Sequence, residues 1–167
     1  MELKTSIAIQ KAGSEGFKWI DLPASEEEIR GTLKELEIND NEQFLTVDYK
    51  SDLKLNAGDW KVDNLKELLG INELYEEFEE LEEIEQHEVG AILEYEQGYL
   101  RDALEMQKKM EFVFYRYISD EYDLGREYAD ETLPVYLRNY FDYEEYGKDC
   151  ARDENGMFTS YGYIRWA

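Results

Sequence analysis

Residues 63–81 read Asp63-Asn64-Leu65-Lys66-Glu67-Leu68-Leu69-Gly70-Ile71-Asn72-Glu73-Leu74-Tyr75-Glu76-Glu77-Phe78-Glu79-Glu80-Leu81. Leu65, Leu68, Ile71, Tyr75, Phe78 and Leu81 recur at intervals of three, three, four, three and three. That is the apolar stripe of an amphipathic helix. Asp63 is the expected cap, and Gly70 with Asn72 predict a break into two helices. Downstream, Val89, Ile92 and Leu93 mark a further helix, and Gly98 separates it from one over 99–109. Upstream the pattern changes. Ser6–Gln10 and Phe17–Leu22 read as short strands around the turn-forming Lys11–Gly16, and Gln43–Tyr49 as a third. Between them Ser25 and Glu28 form a capping-box pair ahead of Ile29, Leu33 and Leu36, and Asn39-Asp40-Asn41 ends that helix. Past residue 110, Glu111–Ile118 is rich in β-formers, and Ser119 or Asp120 caps a helix reaching Ala129. Leu133–Arg138 and Tyr143–Cys150 suit short helices. Asn155-Gly156 is a turn signal ahead of a hairpin of Met157–Thr159 with Tyr161–Trp166. The expectation is an elongated α+β protein of three units. Residues 1–61 form a small sheet with a helix, 62–109 an acidic helical unit, and 110–167 a mixed unit with antiparallel strands.

Charge limits what such a protein binds. The 167 residues hold 41 acidic and 18 basic side chains, a formal net charge of −23. Binding DNA or RNA directly needs a basic surface, because phosphates dominate that affinity. An acidic disordered tail would lack the 43% apolar and 14% aromatic content found here. No run approaches the roughly 20 apolar residues of a membrane span. The opening Met1-Glu2-Leu3-Lys4-Thr5-Ser6 lacks the apolar stretch of a secretory signal. With one cysteine, Cys150, a reduced cytoplasmic setting is expected.

The distribution of the acids is unusual. From Glu67 to Leu100 there are twelve Glu and no Lys or Arg. Glu73, Glu76, Glu77, Glu79, Glu80, Glu82, Glu83 and Glu85 crowd one stretch, including repulsive i,i+4 pairs. Further on, Asp120, Glu121, Asp123, Glu127, Asp130 and Glu131 are offset only by Arg126. Asp142, Glu144, Glu145, Asp149, Asp153 and Glu154 are offset by Lys148 and Arg152. A solubilising face explains one Glu run, but solubility needs only a net charge of about 2–8 in magnitude. The surplus points to a partner that normally holds nucleic acid. Duplex DNA carries one charge per roughly 1.7 Å, so 23 charges match about 39 Å of duplex, and a dimer about 78 Å.

Other chemistries are poorly served. Asp153-Glu154-Asn155-Gly156 has the second half of a calcium-loop pattern, but Ala151 stands where the first Asp must be. Loose cation binding is expected, with no structural metal and no cofactor. Cys150 and His87, one of each, fall in different helices, which argues against a nucleophile–base pair. Cys150 reads as a small buried hydrophobe and His87 as a solvated helix position. No catalytic residue is assigned.

The segment Leu133-Pro134-Val135-Tyr136-Leu137-Arg138-Asn139-Tyr140-Phe141-Asp142-Tyr143-Glu144-Glu145-Tyr146-Gly147-Lys148-Asp149 resembles the antirestriction motif of ArdA-type proteins. Leu133, Pro134, Leu137, Tyr140, Asp142, Tyr143, Tyr146, Gly147 and Asp149 match. Lys148 replaces the usual Arg, keeping the charge and losing the bidentate geometry. Trp19–Pro23 with the Glu26-Glu27-Glu28 helix, Val47-Asp48-Tyr49 and the Phe158–Ile164 hairpin are also similar to the family. The Ile7–Gly16 opening departs from it, as a divergent member would.

The resemblance implies a DNA mimic carried by mobile elements, elongated and built of three small domains. It implies occupation of the DNA channel of type I restriction–modification enzymes, and dimerisation through the motif region. Carried over, the motif residues shape a homodimer contact. The Glu73–Glu85 run, with Asp120, Glu121 and Asp123, stands in for phosphates. The expected activity is stoichiometric inhibition without catalysis. Three alternatives stay open: a mimic aimed at a CRISPR effector or nucleoid protein, a carboxylate-based hydrolase, and an acidic interaction module unconnected with nucleic acid.

Overall fold

The computed structural model describes residues 2–167. Strands β1 (Thr5–Lys11), β2 (Phe17–Leu22) and β3 (Phe44–Ser51) form an antiparallel sheet in the order β2-β1-β3. Alternation along β1 turns Ile7 and Ile9 into the core, both fully buried, with Ile20 and Leu22 of β2 on the same side. Helix α1 (Glu26–Glu35) crosses this inner face and buries Ile29 and Leu33. The Ser25–Glu28 capping box forms as the sequence indicates: Ser25 Oγ accepts from the Glu28 amide, and Glu28 Oε2 from the Ser25 amide.

Helices α2 (Leu65–Glu79), α3 (Glu83–Glu96) and α4 (Leu100–Lys108) make up the middle. The cap of α2 is Asn64, one residue beyond the expected Asp63; its side chain accepts from the Glu67 amide at 2.9 Å. Nor does α2 break at Gly70 and Asn72. It runs on to Glu79, and the chain turns at Glu80–Glu82 instead. Tertiary bonding overrides the weak helix propensity of Asn72. The buried Asn72 accepts from the Ala24 amide at 2.8 Å and donates to the Ala24 carbonyl at 2.8 Å, satisfying both backbone polar groups of one residue. Asp59, also buried, accepts from the Leu100 amide at 3.0 Å at the start of α4. Desolvation raises its pKa.

Strands β4 (Phe112–Tyr115), β5 (Met157–Thr159) and β6 (Gly162–Trp166) form a second antiparallel sheet in the order β4-β6-β5. Helices α5 (Glu121–Ala129) and α6 (Tyr143–Asp153) lie between β4 and β5 in the chain, joined across a 3-10 helix at Val135–Tyr140. The regular strand is shorter than the β-forming run Glu111–Ile118, because the chain turns at Arg116-Tyr117. The short helix expected over Leu133–Arg138 is that 3-10 helix. Asn155-Gly156 makes the expected turn ahead of the hairpin by closing α6: the Gly156 amide returns to the Ala151 carbonyl at 2.8 Å. The hairpin turns at Ser160-Tyr161, flanked by the Thr159–Gly162 pair.

One apolar cluster runs from the first sheet through α2, α3 and α4 to Phe112 and Ile164. A smaller one gathers Ile118, Leu124 and Tyr163 with the half-buried Cys150 and Phe158. The accessible surface is 10127 Å², against about 8,700 Å² for a compact monomer of this mass. That excess suits an elongated body.

Replacing Asn72 with Ala strands the N–H and C=O of Ala24 in a buried surrounding. Denaturant unfolding should show a loss of about 2–4 kcal/mol with the helical circular-dichroism signal retained.

Candidate partner-binding surface

The eight glutamates from Glu73 to Glu85 sit on the second half of α2, the turn after it and the first turn of α3. Six are exposed and two, Glu77 and Glu85, are half-buried. Burying Leu68, Ile71, Tyr75 and Phe78 on one side of α2 turns Glu73, Glu76 and Glu80 outward. Two of the eight find cations from beyond their own segment. Lys108 Nζ lies 3.2 Å from Glu77 Oε1, and Arg116 Nη2 lies 2.5 Å from Glu83 Oε1. Glu76 accepts from Asn72 Nδ2 at 3.1 Å, and Glu85 from the Glu82 amide at 2.9 Å. Among the described residues, none of Glu73, Glu76, Glu79, Glu80, Glu82 and Glu85 has a Lys or Arg within salt-bridge distance. Glu88, the next acid along, is turned inward. Burial raises its pKa despite a long 3.5 Å bond from Gln107 Nε2.

The C-terminal acids are placed differently. Asp120 caps α5 by accepting from the Asp123 amide at 2.9 Å. Asp123 accepts from Ser119 Oγ at 3.0 Å, and Glu121 is half-buried. No salt bridge reaches these three among the described residues. On α6 pairing is the rule: Lys148 with Glu144 at 3.0 Å and with Glu145, Arg152 with Asp149 at 2.8 Å and with Asp153.

The motif residues divide into two groups. Asp142 caps α6, accepting from the Glu145 amide at 3.0 Å. Tyr143 is buried and donates to Asp130 Oδ1 at 2.8 Å. Gly147 lies against α5 so closely that a Cβ there would come within 1.7 Å of the Glu121 carbonyl oxygen. Gly125 faces the Tyr143 carbonyl in the same way, at 1.9 Å. These two glycines let the backbones of α5 and α6 touch. Leu133 is half-buried. The second group points to solvent. Tyr140 is 88% exposed, and the exposed Pro134, Leu137 and Tyr146 accompany it. Val135 and Tyr136, not singled out by the motif, are 73% and 75% exposed.

Asp130 is the electrostatic centre of the motif's inner group. The Tyr143 hydroxyl, together with Arg138 and Arg126, holds its carboxyl below the ordinary value of 3.8. Burial, with the Asp130 charge, raises the Tyr143 phenol in turn. The two candidate nucleophilic groups are occupied structurally. Cys150 packs in the smaller cluster, and burial pushes its thiol up, away from the reactive thiolate. His87 is buried rather than solvated, 5.6 Å from the Tyr161 ring by centroid. Burial also raises the Tyr161 phenol, to about 12. Among the described residues no group of three or more His, Cys, Asp or Glu is placed to hold a metal. None of their helices is long and apolar enough to cross a membrane.

Fold and surface together describe an acidic α+β protein with most of its functional chemistry on display. A family model described as Antirestriction protein (ArdA) matches residues 9–165, nearly the whole chain, and the protein belongs to the ArdA antirestriction family. The resemblance read from residues 133–149 is thereby confirmed. Membership implies an antirestriction function in a non-enzymatic family, and interaction with restriction–modification enzymes. No curated protein matches the chain.

Two measurements check this electrostatic picture. Self-repulsion should weaken as salt is added, so the free protein should melt higher at about 0.5 M than at about 0.01 M salt. Asp130 stabilises the fold when ionised, because its folded pKa is lowered. That contribution is complete above the ordinary 3.8 and drains as pH falls through the lowered value. Asp130→Asn should therefore melt below the parent at pH 7, with the gap closing in acid.

Proposed function

We propose that this protein inhibits type I restriction–modification enzymes by occupying their DNA channel as a stoichiometric, non-catalytic mimic of duplex DNA. The observation that carries this reading is the state of the Glu73–Glu85 surface: eight carboxylates on thirteen residues, with six lacking a Lys or Arg partner among the described residues. The backbone of α2, α3 and the turn between them brings these anions together on one short segment. Asp120, Glu121 and Asp123 extend the anionic surface from α5. Phosphate contacts position a protein without reading sequence, so enzymes of differing target specificity are all susceptible. The setting is cytoplasmic, where such enzymes work. Delivery on a mobile element fits the same reading.

We further propose a homodimer through Val135, Tyr136, Leu137, Tyr140 and Tyr146. Tyr136, Tyr140 and Tyr146 alone leave on the order of 400 Å² exposed, a large part of the roughly 800 Å² per partner that a stable interface buries. Tyr143 and Gly147 act from beneath, by setting α6 against α5, while Asp142 caps α6 and Asp149 pairs with Arg152 within it. Lys148, paired with Glu144 and Glu145, has a role within α6.

Adding the purified protein to a type I restriction enzyme with unmethylated DNA should block cleavage at near-stoichiometric amounts, and excess DNA should reverse the block. Affinity should fall steeply with salt; tight binding unchanged from low to high salt would refute the mechanism. The quadruple reversal of Glu76, Glu77, Glu79 and Glu80 to Lys should abolish inhibition. The corresponding Gln variant should weaken it at least tenfold while keeping the fold. Tyr140→Ser should shift sedimentation towards monomer and reduce inhibition.

A further inference from the structure

The outer face of the first sheet carries partly exposed apolar side chains among polar ones, around a fully buried Ala8. Ile7 and Ile9 face the core, so Ser6, Ala8 and Gln10 line the opposite side of β1. Their neighbours on β2 are Asp21, Trp19 and Phe17. On β3 the register slips by one residue at Val47, placing Leu45 opposite Gln10, Asp48 opposite Ala8 and Lys50 opposite Ser6. Phe17 is 53% exposed, Leu45 48%, Val47 45% and Trp19 37%. Phe17 and Trp19 meet edge to face at 6.4 Å. Phe17, Trp19, Leu45 and Val47 thus leave a substantial apolar area in water on this sheet.

We propose that this face is a second docking surface, for the Arg- and Lys-rich protein surface that borders the DNA channel of the target enzyme. The proposal rests on the channel-binding reading above. Size argues first. The four half-exposed side chains leave on the order of 300–400 Å², within the range of functional patches on monomers. That is under half of the roughly 800 Å² per partner that a self-standing dimer needs. It suits an auxiliary contact inside a larger interface. Charge decides the partner. The patch is framed by the carboxylates of Asp21 and Asp48, and Lys50 already lies over the Trp19 ring at 4.6 Å. Aromatic faces with carboxylates beside them receive guanidinium and ammonium groups. Lys50 occupies the Trp19 face, so a partner cation displaces it or takes the exposed Phe17 ring beside it. An apolar, cation–π contact depends weakly on salt, unlike the Glu-rich surface on α2 and α3. The two surfaces therefore contribute separable terms to one affinity.

The test compares Phe17→Ala/Leu45→Ala and, separately, Phe17→Lys with the parent chain. Affinity for a type I restriction enzyme is measured across salt, with sedimentation of each protein alone. The expected result is about tenfold weaker binding for the double variant at every salt, with the slope of log K against log salt unchanged. Phe17→Lys, which sets a cation against the basic partner, should lose more. Parent-like affinity in both variants, while the parent binds with steep salt dependence, overturns this proposal and leaves the mimic reading standing. A change of oligomeric state in place of affinity overturns it in favour of self-contact. A parent chain that does not bind the enzyme overturns both readings.

Discussion

Like charge packed on a small body must be held together by something that charge does not touch. Here that is the apolar cluster shared by the first sheet, α2, α3, α4 and the inner residues Phe112 and Ile164. A net charge of −23 repels itself over the whole surface, and the hydrophobic term is the one large contribution indifferent to it. The few buried polar groups are consequently well matched. Asn72 serves both the N–H and the C=O of Ala24, Asp59 receives the Leu100 amide, and Thr46 donates to the Val62 carbonyl at 2.6 Å. Each ties one element to another where an unmet group would be costly.

With the interior secured in this way, the surface is free to be electrostatically unfavourable. The exposed glutamates of α2 and α3 gain little from one another and are left with few cations. The repulsion stored there is relieved by screening or by a basic partner. The contrast with α6 is instructive. There Lys148 and Arg152 pair with neighbours three or four residues away, so that helix carries acids without a comparable field. The same residue types thus make either a structural helix or an anionic surface, depending on whether cations share the helix.

The motif in residues 133–149 combines two tasks. Gly147 and Tyr143 lock α6 onto α5. Their neighbours Val135, Tyr136 and Tyr140 are held out in water. A presented surface loses less entropy on association when its backbone is already fixed.

The sequence by itself determined much of this. Period-two and period-3.6 patterns located the strands and helices, the Ser25–Glu28 pair marked one helix start, and the Leu133–Asp149 segment pointed to the family. Local signals sufficed because each is written within a few residues of chain. They failed where a distant partner intervened. Asn72 reads as a helix breaker until Ala24 supplies its hydrogen bonds. His87 reads as solvated until Tyr161 packs beside it. Only the tertiary structure gave Glu77 and Glu83 their cations from Lys108 and Arg116, and only it left Phe17 and Tyr140 open while burying Phe112 and Tyr163. Periodicity tells which side of its own element a residue takes. What lies against that side is set by the other elements, through contacts between residues far apart in the chain.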